Sequence, residues 1–307
     1  MSASAPPGHE VLGALRAVVD EVLERHLAEC SADLARRDVL AGVLVEEISR
    51  LIHAGGKRLR PAFCYWGYRA AGGAAPDEPH FDDPIVRAAS ALELLHTMAL
   101  IHDDLIDEAT ERRGVPSSAS QLAAVAAERG MPVDHRRFGR SAALLAGDLA
   151  AVLADRLLLT SGFDAPAIAR ALVPYHEMRL DMAAGQVLEI TGAVGGSAER
   201  PTDGPGPAAT AARLKGGSYT VEGPLLVGAA LAGGSDDVGR ALRAFGEPLG
   251  EAFQLRDDLL DADAPPGVTT SDVNWLVERA RAVLREAPIE PDAAAGLDRL
   301  ASLVAMP

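Results

Sequence analysis

Apolar residues recur at three- and four-residue spacing along almost the whole chain, the period of helices that bury one face rather than of strands. This pattern predicts helices over Glu10–Cys30, Val39–His53, Pro61–Ala71, Pro84–Glu108, Ser118–Arg129, Gly139–Thr160, Pro166–Ile190, Pro207–Ala232 and Asp236–Ala262. Two shorter ones, Ser271–Glu286 and Asp292–Ala305, close the chain. Most breaks carry Gly or Pro, as at Gly72–Gly73, Gly114–Pro116 and Pro265–Gly267. Gly192–Pro207 is the one long stretch without helical pattern, and its length suggests a mobile surface loop. No repeat or charge block marks a boundary, so the expectation is one all-α domain over 1–307 with residues 1–9 unordered. It would be a bundle of roughly ten or more helices.

Composition narrows the classes. The 307 residues are 48% hydrophobic, enough for a large core, and only 4% aromatic. A net charge of −15 argues against nucleic acid as a partner for the surface as a whole. The N-terminus lacks a charged segment followed by an apolar one, and no apolar run of about 18 residues is free of charge. A cytoplasmic protein without a transmembrane segment is expected. Cys30 and Cys64 are isolated in apolar sequence and read as buried free thiols.

Against that acidic background two clusters stand out: His102-Asp103-Asp104-Leu105-Ile106-Asp107 and Arg256-Asp257-Asp258-Leu259-Leu260-Asp261, 154 residues apart. In each, the outer aspartates sit at i and i+4, about 5–6 Å apart on one helix face, and repel unless a cation offsets them. A hard cation with oxygen ligands does so, and Mg²⁺ takes one or two carboxylates together with substrate phosphates. Two such faces opposed across a cavity would hold a diphosphate. His96 lies on the stripe of Asp103 and Asp107, and Arg112-Arg113-Gly114 supplies guanidinium forks suited to phosphate at a turn just beyond. The chain has only two lysines, Lys57 and Lys215, both in glycine-containing motifs. Gly55-Gly56-Lys57-Arg58-Leu59-Arg60-Pro61 puts three cations in four residues at a helix start, where backbone N–H groups also attract anions.

Taken in order, these motifs resemble the trans-isoprenyl diphosphate synthases, or polyprenyl synthetases. They are GGKRLRP at Gly55, ELLHTMALIHDDLID at Glu93, RRG at Arg112, Gly147-Asp148, Gly185-Gln186, LKGG at Leu214 and FQLRDDLLD at Phe253. The resemblance runs from about Val39 to Asp261, and it implies the isoprenoid synthase fold, helices around a central cavity, usually as a homodimer. It implies that Asp103, Asp107 and Asp257 ligate Mg²⁺, with Asp104, Asp258 and Asp261 completing the two acidic sets. Arg112 and Lys215 would contact the diphosphate of an allylic substrate. Lys57, Arg60, His96 and Arg113 would hold isopentenyl diphosphate. Gln186, Phe253 and Gln254 would line the reacting carbons. Met98 and Ala99, where the family uses bulky aromatics to stop short chains, would leave room for a twenty-carbon product, within a range of fifteen carbons upward.

The chain departs from the family in three places. No lysine follows Lys215, Gly216 stands in place of threonine, and Glu189 in place of aspartate. Two other readings stand beside the synthase. One is a non-catalytic subunit that modulates a partner synthase; the other is a terpene cyclase, which has no use for GGKRLRP or His96.

Overall fold

Helix after helix forms where the apolar period runs, and breaks come where Gly, Pro or a capping side chain interrupts it. The computed structural model describes residues 7–74, 78–112, 114–192, 210, 213–260 and 267–305. Eleven α-helices lie among them: α1 (Pro7–Ala35), α2 (Gly42–His53), α3 (Leu59–Ala70), α4 (Pro84–Ile106), α5 (Ser118–Glu128), α6 (His135–Leu159), α7 (Ala165–Gly192), α8 (Gly223–Ala232), α9 (Asp236–Leu260), α10 (Thr270–Glu286) and α11 (Pro291–Ala305). The all-α expectation holds, and helix ends fall within a few residues of the predicted ones. The mobile loop expected over Gly192–Pro207 lies, beyond its first residue, outside the described residues.

Five local features differ from the sequence reading. α1 begins at Pro7, so residues 7–9 belong to a helix; proline suits a first turn, where its missing N–H costs nothing. A 3₁₀ turn, Val39–Ala41, precedes α2, and the Asp38 carboxylate accepts the Leu40 N–H there at 2.7 Å. α6 starts a full turn earlier than expected, because Asp134 caps it by accepting the Arg137 N–H at 2.9 Å. The stretch expected to be one helix up to Ala232 is instead a ten-residue π-helix, Arg213–Glu222, running into α8. A short antiparallel hairpin, β1 (Glu111–Arg112) with β2 (Val115–Pro116), pairs Arg112 with Val115 across a turn at Gly114, whose φ of 77° only glycine adopts freely.

The chain forms two compact units. One comprises residues 14–58 and 79–162, the other residues 1–13, 59–78 and 163–307. In the first, α4 packs on α6, whose buried residues are mostly small: Gly139, Ala142, Ala143, Ala146, Gly147, Ala150 and Ala154, with leucines toward its end. Small side chains let the two helices approach closely. α4 is long and apolar enough to cross a membrane, but 72% of its apolar window is buried inside the protein, as in a core helix. In the second unit α3 and α8 meet backbone to backbone. A β-carbon at Gly228 would lie 1.9 Å from the Cys64 carbonyl oxygen, so no other residue fits there. Cys30 and Cys64 are free and buried, and burial pushes both thiols up, away from reactivity.

Candidate active site

In the first unit α4 ends in the first aspartate cluster. Asp107 is its C-cap, the Asp107 N–H bonding the Asp103 carbonyl at 2.9 Å. Three carboxylates therefore gather at the negative end of a helix dipole, which raises the demand for positive charge. The hairpin meets part of it. Arg112 Nε donates to Asp104 Oδ1 and its Nη2 to Asp103 Oδ2, both at 2.8 Å. Asp104 is buried at 5% exposure, and burial, the largest influence, pushes its carboxyl pKa up, with Arg112 opposing. Asp103 is half-buried and Asp107 exposed. The three aspartates thus divide: Asp104 turns inward to hold the arginine, while Asp103 and Asp107 remain reachable.

Earlier on α4 His96 and Ala99 are partly exposed and Met98 is buried; Leu94 and Leu95 are sealed at 0% exposure. His102 is seated by the Gly147-Asp148 element of α6. A β-carbon at Gly147 would lie 2.2 Å from His102 Nε2, which sits 3.3 Å from the Leu144 carbonyl and 3.8 Å from Asp148.

The basic motif splits. Lys57 is exposed and stands in the first unit. Its neighbour Arg58, with φ of 52°, turns into the interior instead. Arg58 donates to Asp20 and Glu93 and to the Ile52 carbonyl, each at 2.7 Å, and is 6% exposed. Sequence reading counted it among three anion-attracting cations, but its charge is consumed by two carboxylates of its own unit. Arg60 lies in the second unit, on α3. Its Nη2 bonds the Thr220 hydroxyl at 2.8 Å, its guanidinium lies 4.7 Å from the centre of the Tyr219 ring, and its buried Nε has no hydrogen-bond partner among the described residues.

The second unit also carries the other cluster, in the last turns of α9. Arg256 Nη2 donates to Asp257 Oδ1 at 2.9 Å, while its Nη1 donates to the Leu303 carbonyl at 3.0 Å near the end of α11. The guanidinium lies 5.3 Å from the centre of the Phe253 ring. Gln254 Nε2 donates to Asp258 Oδ1 at 2.7 Å. Lys215, on the π-helix, pairs with Glu189 of α7, one turn beyond the partly exposed Gln186. Asp261 and Arg113 lie outside the described residues.

No described group of three or more His, Cys, Asp or Glu side chains is gathered for a metal ion. The first cluster's reachable donors are carboxylate oxygens in a pair, which fits a hard cation completed by phosphate oxygens. Sequence reasoning gave no role to Arg256 and misread that of Arg58. A buried arginine leaves no periodic trace, although an arginine immediately before an aspartate pair was a legible hint.

A family model described as polyprenyl synthetase matches residues 42–273. Among curated proteins, geranylgeranyl diphosphate synthase of Methanosarcina mazei is 29% identical over 258 residues, covering 83% of this chain and 70% of that protein. Short chain isoprenyl diphosphate synthase of Methanothermobacter thermautotrophicus is 30% identical over 224 residues, covering 73% of this chain and 60% of that one. Among solved structures, geranylgeranyl pyrophosphate synthase of Corynebacterium glutamicum, complexed with isoprenyl diphosphate and magnesium, superposes with a TM-score of 0.83 at 27% identity. That similarity spans 96% of this chain and 99% of the other.

Proposed function

The chain belongs to the polyprenyl synthetase family of trans-prenyltransferases, and on that premise we propose that it condenses isopentenyl diphosphate head-to-tail with an allylic diphosphate. The observation that carries the reading is the matched form of the two clusters. Each closes a long helix, α4 or α9, and in each an arginine holds the first aspartate, Arg112 on Asp103 and Arg256 on Asp257. Acidic groups at the negative ends of two helices, each with one guanidinium, call for further cations.

Asp103, Asp107 and Asp257 would hold Mg²⁺, with Asp104, Asp258 and Asp261 in the surrounding acidic sets. Bound there, the metal would supply Lewis-acid stabilisation of the charge that builds on a departing diphosphate. Arg112 and Lys215 would contact that diphosphate, and both are positioned by carboxylates that a phosphate can displace. Lys57, Arg60, His96 and Arg113 would bind isopentenyl diphosphate, for which the unpartnered Nε of Arg60 offers a donor. Gln186, Phe253 and Gln254 would flank the reacting carbons and keep water from the allylic cation. Holding the two substrates in register accounts for part of the rate, since orientation of bound reactants lowers a barrier by several kcal/mol.

A twenty-carbon product is the favoured outcome. Small, partly exposed Ala99 and flexible Met98 would leave room there for a longer chain, and fully buried Leu94 and Leu95, a turn earlier, would form the floor. The reading carries with it a cytoplasmic homodimer, which size-exclusion chromatography with light scattering tests directly. The deciding experiment for the activity incubates the protein with Mg²⁺, labelled isopentenyl diphosphate and dimethylallyl, geranyl or farnesyl diphosphate in separate tubes. A product ladder that ends at one length supports the reading. No elongation from any starter overturns it for the isolated chain and returns weight to a modulatory subunit.

A further inference from the structure

The second aspartate of the second cluster is already engaged. Asp258 Oδ1 accepts a hydrogen bond from Gln254 Nε2 at 2.7 Å, one helical turn earlier on α9. With its Nε2 held, the carboxamide has one orientation, and its Oε1 points at the π-helix, toward Gly216. A β-carbon at Gly216 would lie 2.1 Å from that oxygen. The backbone of α9 is close at the neighbouring position too, where a β-carbon at Gly250 would lie 2.5 Å from the Gly217 Cα. Gly216 therefore makes the space that the Gln254 amide fills, and Gly217 lets the π-helix and α9 backbones come close beside it.

We propose that Asp258 and Gly216 are positioning residues for Gln254: the carboxylate fixes the amide from one side, and the missing side chain admits it on the other. Gly216 is where the chain departs from its family's threonine, so the departure is matched to this seat for Gln254. The proposal rests on the synthase reading for its consequence in turnover, but not for the geometry. It separates Asp258 from Asp257. Toward Gln254, Asp258 acts as an oxygen acceptor, which asparagine also offers.

The test compares D258N, D258A, Q254A, G216A and the double variant G216A/Q254A in the full chain. Two readouts are taken. One is the side-chain ¹⁵N–¹H resonance pair of Gln254, assigned by its loss in Q254A. The other is kcat and KM for allylic diphosphate with Mg²⁺. The expected result is a Gln254 resonance pair kept in D258N and shifted in both D258A and G216A. D258N would lose clearly less kcat than D258A, which falls about 10²-fold, the scale of a misplaced group near reacting atoms. G216A/Q254A would be no worse than Q254A alone, because the clash is gone once the amide is gone. Equal losses in D258N and D258A, with a raised Mg²⁺ requirement, would overturn the proposal in favour of a metal ligand. A double variant much worse than Q254A would show that glycine serves the π-helix itself. If wild type is inactive, the synthase reading fails, and the resonance pair still decides the seat.

Discussion

Arg112 Nε and Asp104 Oδ1 meet at 2.8 Å across eight residues of chain, and Asp104 is the only one of the first cluster's three aspartates to be buried. The pair joins the hairpin to the end of α4 and leaves Nη2 to hold Asp103. Removing the arginine strands a buried carboxylate beside two others. R112A is expected to lose at least about 10²-fold in kcat, with R112K recovering little, because an ammonium cannot bridge two carboxylates as a fork does. D104N keeps an acceptor for Nε and should be milder than R112A. Steady-state kinetics on the three variants, with melting curves as a control for folding, checks the order.

Arg58 makes a prediction about stability rather than activity. It satisfies Asp20, the buried Glu93 and the Ile52 carbonyl at once. Breaking a buried ion pair by removing one partner costs about 3–5 kcal/mol, because the other charge is left uncompensated. R58M should show that loss in urea unfolding, while R58M combined with E93L should recover much of it. K57A, by contrast, removes an exposed side chain and should leave the urea midpoint unchanged while raising KM for isopentenyl diphosphate.

Gly147 is expected to be intolerant of any side chain. The β-carbon of G147A would sit 2.2 Å from His102 Nε2, next to Asp103 in sequence, so the imidazole must swing away and disturb the cluster's first turn. Activity should fall in G147A and partly return in G147A/H102A. An equal loss in both would place the effect in helix packing between α4 and α6.

Acidification should destabilise the first unit through His26. Burial, the largest influence, holds its pKa below the ordinary 6.5, while the hydrogen bond to the Leu153 carbonyl works the other way. The folded state therefore binds fewer protons than the unfolded one between the folded pKa and 6.5. Stability is complete above 6.5 and is lost as pH falls through that value toward the folded pKa. His53 has the opposite sign: its pKa is raised by the Ser49 carbonyl and Glu24, so its contribution is present at low pH and lost as pH rises through its folded value. Urea midpoints at pH 7.5 and 5.5 for wild type and H26Q isolate the first effect, since both proteins retain His53. A flatter pH dependence in H26Q is the expected result.

Product length should respond to Ala99. An aromatic ring there, in A99F, is expected to shift the longest product toward fifteen carbons, read by chromatography of the dephosphorylated alcohols. An unchanged product would place the chain-length floor elsewhere.

Much of this protein is local. The period of apolar residues sets the helices, an aspartate or threonine cap and a glycine or proline break set their ends, and i, i+4 spacing sets the two carboxylate faces. Those features depend on residues within a turn or two of one another, so the order of amino acids determines them, and with them the all-α class and the candidate chemistry. Other decisions need partners far away in the chain. Lys57 and Arg58 are adjacent cations, yet one is exposed and the other is buried against Asp20 and Glu93, 38 and 35 residues distant. Asp103 and Asp104 are adjacent acids, yet only the one facing inward at the helix end is sealed beneath Arg112. The π-helix at Arg213–Glu222 exists where Gly216 and Gly217 face Gln254 and Gly250 of α9, a pairing that no local pattern announces. Which charge is spent in the interior and which is left for a ligand is a matter of burial, and burial is settled only when distant segments pack.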